Sequence, residues 1–78
     1  INQAQVYPRV VAQACLKSNA AAIILAHNHP SGSLIVSESD KHITHKLIVT
    51  LELVDVRVLD HFIIGKNDVL SMAQNGFM

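Results

Sequence analysis

The apolar positions of this chain change rhythm several times, and each change marks an element. In "YPRVVAQACLKSNAAA" (residues 7–22), Val10, Val11, Ala14 and Cys15 form a stripe at helical spacing that fades into Lys17 and Ser18. Pro8 suits the first helical turn, where its missing N–H costs nothing. Asn19 can adopt the left-handed conformation that closes a helix. The run "AAAIILAH" (residues 20–27) is almost wholly apolar, with β-branched Ile23 and Ile24, and predicts a strand covered on both faces. "NHPSGS" (residues 28–33) breaks the pattern, because Pro30 and Gly32 mark a loop. Ser37 then opens a second helix as its cap, with Asp40 at the third helical position and Glu38 and Asp40 near the positive end of the helix dipole. Ile43, Leu47, Ile48, Leu51 and Val54 are its apolar stripe. "VRVLDHFIIG" (residues 56–65) reads as a strand ending at Gly65, Asn67–Asp68 as a turn, and "VLSMA" (residues 69–73) as a short last strand. The opening "INQAQVYP" reads as the end of a strand or loop leading into the first helix. This alternation predicts an α/β or α+β layered domain with helices packed on a central sheet.

Composition narrows the class. The 78 residues make one domain, residues 1–78. A domain of this size buries only about 60% of the surface its unfolded chain exposes. Half the residues are apolar, which fits a packed core rather than disorder. Six basic and six acidic residues leave the chain neutral, so it has no electrostatic footprint for nucleic acid. No apolar run reaches the roughly 18 residues that span a membrane, and none reads as a signal peptide. The single Cys15 has no internal disulfide partner and lies in an apolar helical pattern. A buried thiol and a reducing, cytoplasmic setting are expected.

The chemistry concentrates between Leu25 and Asp40. His27 and His29 stand two apart, and on an extended backbone such residues leave the same face. Two imidazoles at a strand end, with Asp40 on the first turn of the next helix, make three protein ligands for zinc and leave a fourth position open. An open position is the mark of a catalytic zinc site, where the ion supplies an activated water at neutral pH. Ser37, one turn before Asp40, can donate to an oxyanion at the same point. Each residue also has a plain reading: His27 as a core histidine, His29 as a loop residue, Ser37 as a helix cap and Asp40 as its capping partner. The plain readings leave the common order and spacing unexplained. His61 reads foremost as a structural partner of Asp60, with support of a ligand from a neighbouring strand as the alternative. His42 and His45 read as surface residues. The contiguous letters H-N-H at residues 27–29 do not make a nuclease. In such enzymes the residues are scattered over a ββα unit with basic residues for phosphate, which six dispersed Lys and Arg do not supply.

His27 and His29, seven further residues, then Ser37 and Asp40 spell H-x-H-x7-S-x2-D. This resembles the JAMM motif of the JAB/MPN metalloprotease superfamily. "NAAAIILAHNHPSG" and "LDHFIIG" resemble its RadC-like branch in particular, from "VYPR" to about Met72. The resemblance implies a JAB/MPN-like fold, a mixed sheet flanked by helices, and one Zn2+ held by His27, His29 and Asp40. It gives Ser37 the catalytic role of stabilising the tetrahedral intermediate. It implies hydrolysis of a peptide or isopeptide bond in a protein substrate, often beside a ubiquitin-like partner. The family pattern also includes a glutamate upstream of the histidine pair as general acid/base. The only glutamates here, Glu38 and Glu52, lie downstream. The chain therefore resembles the C-terminal two-thirds of such a domain, lacking its N-terminal part. An incomplete sheet edge would favour self-association. A catalytically inactive module that binds a partner, and the DNA-repair role for which the RadC branch was historically named, are the alternatives.

Overall fold

The structure, a computed structural model, describes residues 6–78. The expectation for residues 1–5 lies outside them. Helix α1 spans Pro8–Lys17, strand β1 Ala22–Asn28, helix α2 Glu38–Glu52, strand β2 Arg57–Ile64 and strand β3 Val69–Ser71. The strands form one mixed sheet in the order β1-β2-β3, with β1 parallel to β2 and β3 antiparallel to it. This is the layered α/β arrangement the sequence predicts, with the elements in the predicted order. Pro8 occupies the first turn of α1, and Asn19 turns the chain out of it at φ 55°. A second left-handed residue, Asp55 at φ 60°, turns the chain between α2 and β2.

Both helices cover the same face of the sheet. Cys15, Leu51 and Val56 are buried together, with Val11, Ala12, Ala20, Ile23, Val54 and Val58 packed around them. The stripe predicted for α1 is therefore rotated: Val10 and Ala14 are exposed, and Val11 and Ala12 join Cys15 against α2. In α2 the buried line runs Asp40, Thr44, Leu47, Leu51, while Ile43 and Ile48 flank it half-buried. The two polar members lie at the N-terminal end, which is the end over the histidines.

The expectation that β1 is covered on both faces is not met. Its residues alternate between exposed and half-buried, and Ile24 is 55% exposed. The physical reason is that no described element lies on the second face, where Ile24, Ile64 and Val69 remain open to solvent. A buried thiol at Cys15 is as expected.

The pairing of β1 with β2 contains one irregularity that decides the site. Ile23 pairs with Val58, but Ile24 pairs with Asp60, so Leu59 is an extra residue on β2. Such a bulge shifts which side chains share a face. Beyond it, His61 and Ile63 join Val58 on the helix-covered face, and Asp60 points to the other. There Asp60 ties β2 to the end of β3. Its carboxylate accepts the His61 N–H at 2.7 Å, the Ser71 hydroxyl at 2.5 Å and the Ala73 N–H at 3.1 Å. Partial burial alone would raise its pKa. The donors Ser71, Ala73 and His61 outweigh that and hold it below the ordinary carboxylate value. A depressed native pKa stabilises the fold above the unfolded-state value of about 3.9 and is lost as pH falls through the native value. Asp60→Asn, which keeps only one acceptor oxygen, is expected to cost roughly 1–2 kcal/mol at pH 7. The gap from the parent protein should begin to narrow as pH falls below the unfolded-state value of about 3.9 and close only below the depressed native value, where the folded parent's carboxyl protonates too. Urea denaturation across that range tests this, and a constant gap would assign the loss to something other than charge.

Candidate metal centre

The site forms where β1 ends. His27 is the second-last residue of the strand, and His29 continues the ladder by donating its N–H to the Ile64 carbonyl at 3.1 Å. Both rings therefore leave the face under α2, with centroids 5.0 Å apart. The chain then turns sharply, with Gly32 N–H bonding the His29 carbonyl at 2.9 Å and Gly32 itself at φ 77°, a conformation suited to glycine. The turn brings the Ser33 carbonyl back to 2.9 Å from His29 Nδ1. Across it lies Gly65, where a Cβ would sit 2.8 Å from the Gly32 carbonyl oxygen and 2.7 Å from Leu34 Cδ2. The turn can dock only because residue 65 has no side chain.

Asp40 arrives from the opposite side. Ser37 caps α2 as expected: its hydroxyl accepts the Asp40 N–H at 3.0 Å, and the Asp40 carboxylate accepts the Ser37 N–H at 2.9 Å. This capping box holds the carboxylate over the two rings. Asp40 Oδ2 lies 2.9 Å from His29 Nε2, and Oδ1 lies 3.1 Å from His27 Nε2. Burial alone would raise the Asp40 pKa. The Ser37 bonds, the His29 bond and the nearby His27 outweigh it and keep the carboxyl below its ordinary value. The side chain of His27 is 35% exposed, against 15% for His29, so the open side of the cluster lies by His27. An open cleft passes His27, His29, Ser37 and Asp40, with Leu25 and Leu47 in its lining.

The cluster fits a metal. His29 Nδ1 faces a carbonyl, which only accepts, so that nitrogen carries a proton. In the neutral ring Nε2 is then bare, and it faces an ionised carboxylate. Two lone-pair atoms at this distance need a cation between them, either a shared proton or a metal ion. One donor atom from each of His27, His29 and Asp40 lies within 4.8 Å of the others, a span that suits one ion. Two imidazoles and a carboxylate are zinc's donor set for an open site. The sequence placed these three residues and Ser37 together, and the structure brings all four to one point.

The reading of His61 is corrected. Its N–H does bond Asp60, but its ring lies on the other face, with Nε2 2.8 Å from His27 Nδ1 and Nδ1 2.6 Å from Thr44 Oγ1. Burial holds its pKa below the ordinary imidazole value, reinforced by the neighbouring His27. Thr44 has no counterpart in the sequence reading. Its signal was the spacing of four from Asp40 on α2, which puts it on the same face. His42 and His45 are exposed, as expected.

A family model for the RadC-like JAB domain matches residues 1–77. The chain belongs to this family. This RadC-like JAB domain is 54% identical over all 78 residues to a UPF0758 protein of Tolumonas auensis. Identity is 56% to one of Pseudomonas fluorescens strain SBW25 and 55% to one of Pseudoalteromonas translucida. The chain spans 35% of the length of each of these relatives. None of the helices described in this JAB domain is long and apolar enough to cross a membrane.

Proposed function

We propose that this RadC-like JAB domain carries a zinc-dependent hydrolase site for a peptide or isopeptide bond. The observation that supports it most is the pair of imidazole nitrogens turned onto one carboxylate at 2.9 and 3.1 Å. His27, His29 and Asp40 would hold the ion, which when bound supplies Lewis acidity and an activated water. The protein's own groups do the rest. The Ser37 hydroxyl accepts the Asp40 N–H and keeps its own proton, which it donates to the substrate carbonyl oxygen as negative charge develops. Leu25 and Leu47 give the cleft beside it an apolar lining for substrate side chains. The setting is cytoplasmic, and the substrate is a protein.

A second reading, drawn from residues 6–78 taken by themselves, is a module that binds a protein partner without turnover. Glu38 is turned away from the site, its side chain 92% exposed and 3.3 Å from Lys41, and Glu52 ends α2. Neither is placed to move a proton at the site. Elemental analysis together with a cleavage assay on an isopeptide-linked ubiquitin-like substrate separates the readings. One zinc per chain with cleavage abolished by a chelator supports the hydrolase. Zinc without turnover supports the binding module, and a folded protein that takes up no zinc overturns the metal site.

A further inference from the structure

We infer that Thr44 and His61 fix the tautomer of His27 through one directed chain of hydrogen bonds that starts at the Asp40 backbone carbonyl and leaves bare the His27 nitrogen that faces the Asp40 carboxylate. The inference rests on the metal reading of the site for its purpose, but not for its geometry.

The direction follows from the chemistry of each group. Thr44 Oγ1 lies 2.6 Å from the Asp40 carbonyl oxygen, and a carbonyl only accepts. The single hydroxyl proton of Thr44 therefore goes there. Met72 Sδ, at 3.7 Å, is a weak competitor for it. Thr44 has no second proton for the ring nitrogen 2.6 Å away, so His61 Nδ1 must be the donor to Thr44. Thr44 is fully buried and His61 is 4% exposed, so no solvent can reorder the bonds. A neutral His61 has spent its one proton, and its Nε2 is bare. The nitrogen facing it at 2.8 Å, His27 Nδ1, must then donate. His27 Nε2 is left bare and faces Asp40 Oδ1 at 3.1 Å. One buried hydroxyl, two residues removed from the ion, thus decides which nitrogen of His27 is available as a ligand. His29 reaches the same state by a shorter route, through the Ser33 carbonyl.

Thr44 and His61 are positioning residues: neither meets substrate or metal. Their loss leaves the ligand set intact but frees the His27 ring to rotate or to protonate at Nε2, and partners of this kind are typically worth about 10–100-fold in metal affinity. The deciding comparison is Thr44→Val, which keeps the shape and removes the hydroxyl, against Thr44→Ser, which restores it.

The test has two readouts. Long-range 1H–15N NMR of the metal-free protein reports tautomers directly, and His61 is expected in the Nδ1–H form. Zinc affinity, by competition with a chromophoric chelator at constant pH, is expected to fall about 10–100-fold in Thr44→Val and to stay within a few-fold of the parent in Thr44→Ser. His61 in the Nε2–H form overturns the inference, as does equal affinity of the two variants. Were Thr44→Val not to fold, the tautomer measured in the parent protein still decides. Failure of the metal reading shows differently, as a parent protein that binds no zinc whatever its tautomers.

Discussion

Asp40→Ala is expected to abolish stoichiometric zinc binding and to destabilise the fold in the same step. Structural zinc sites bind with about 10–16 kcal/mol over four ligands, so one ligand carries about 2.5–4 kcal/mol. Its loss lowers affinity by a factor on the order of a hundred or several hundred. The same carboxylate accepts the Ser37 N–H of the capping box, a contact typically worth about 1 kcal/mol. Asp40→Asn separates the two effects. An amide oxygen still accepts the Ser37 N–H, so stability is retained, while the neutral side chain is a poor zinc ligand. Elemental analysis and thermal unfolding of both variants check this. Zinc retained at one per chain in a folded Asp40→Ala would remove Asp40 from the ligand set.

Gly65→Ala is expected to weaken zinc binding without touching a ligand. The added methyl would lie 2.8 Å from the Gly32 carbonyl oxygen, which is backbone and cannot swing aside. Residues 30–34 must move outward, and with them the Ser33 carbonyl that orients His29. Overpacking of this kind costs about 1–3 kcal/mol in stability. Disturbing the partner of a ligating histidine costs roughly 10–100-fold in affinity. Gly76→Ala is the control, because a Cβ there meets nothing, although φ 74° adds local backbone strain. Chelator competition and urea denaturation on both variants measure the two effects. Unchanged affinity in Gly65→Ala would mean that the turn does not set the His29 ring.

The cluster of His27, His29, Ser37 and Asp40 was legible in the sequence because its parts are local. Two histidines two apart on a strand must share a face, and a serine three before an aspartate at a helix start must form a cap. Neither inference needs the rest of the chain. His61 and Thr44 were less legible because their roles depend on a single extra residue, Leu59, opposite β1. Without the bulge, Asp60 would sit where His61 does, and the alternation in "VRVLDHFII" does not announce the change. The expected double coverage of β1 failed for a different reason. An apolar run states that a strand can be buried, while the number of layers over it depends on neighbours that the run does not encode. In α2 the apolar residues drew attention to Ile43 and Ile48, although the buried line begins with the polar Asp40 and Thr44.

The bulge at Leu59 also separates the motif from the function that the motif is taken to mark. H-x-H-x7-S-x2-D lies wholly between residues 27 and 40, and nothing within it reports the register of β2. A related chain of the same length could preserve all four motif residues and pair β2 with β1 without the bulge, so that Asp60 rather than His61 falls opposite Leu25. It would score almost identically in any alignment, yet it would present a carboxylate to His27 in place of an imidazole. An acidic group there accepts from His27 Nδ1 but donates nothing to Thr44, so the orienting chain would stop one link short. The register of β2 against β1, rather than motif identity, is the property that decides whether an imidazole or a carboxylate faces His27.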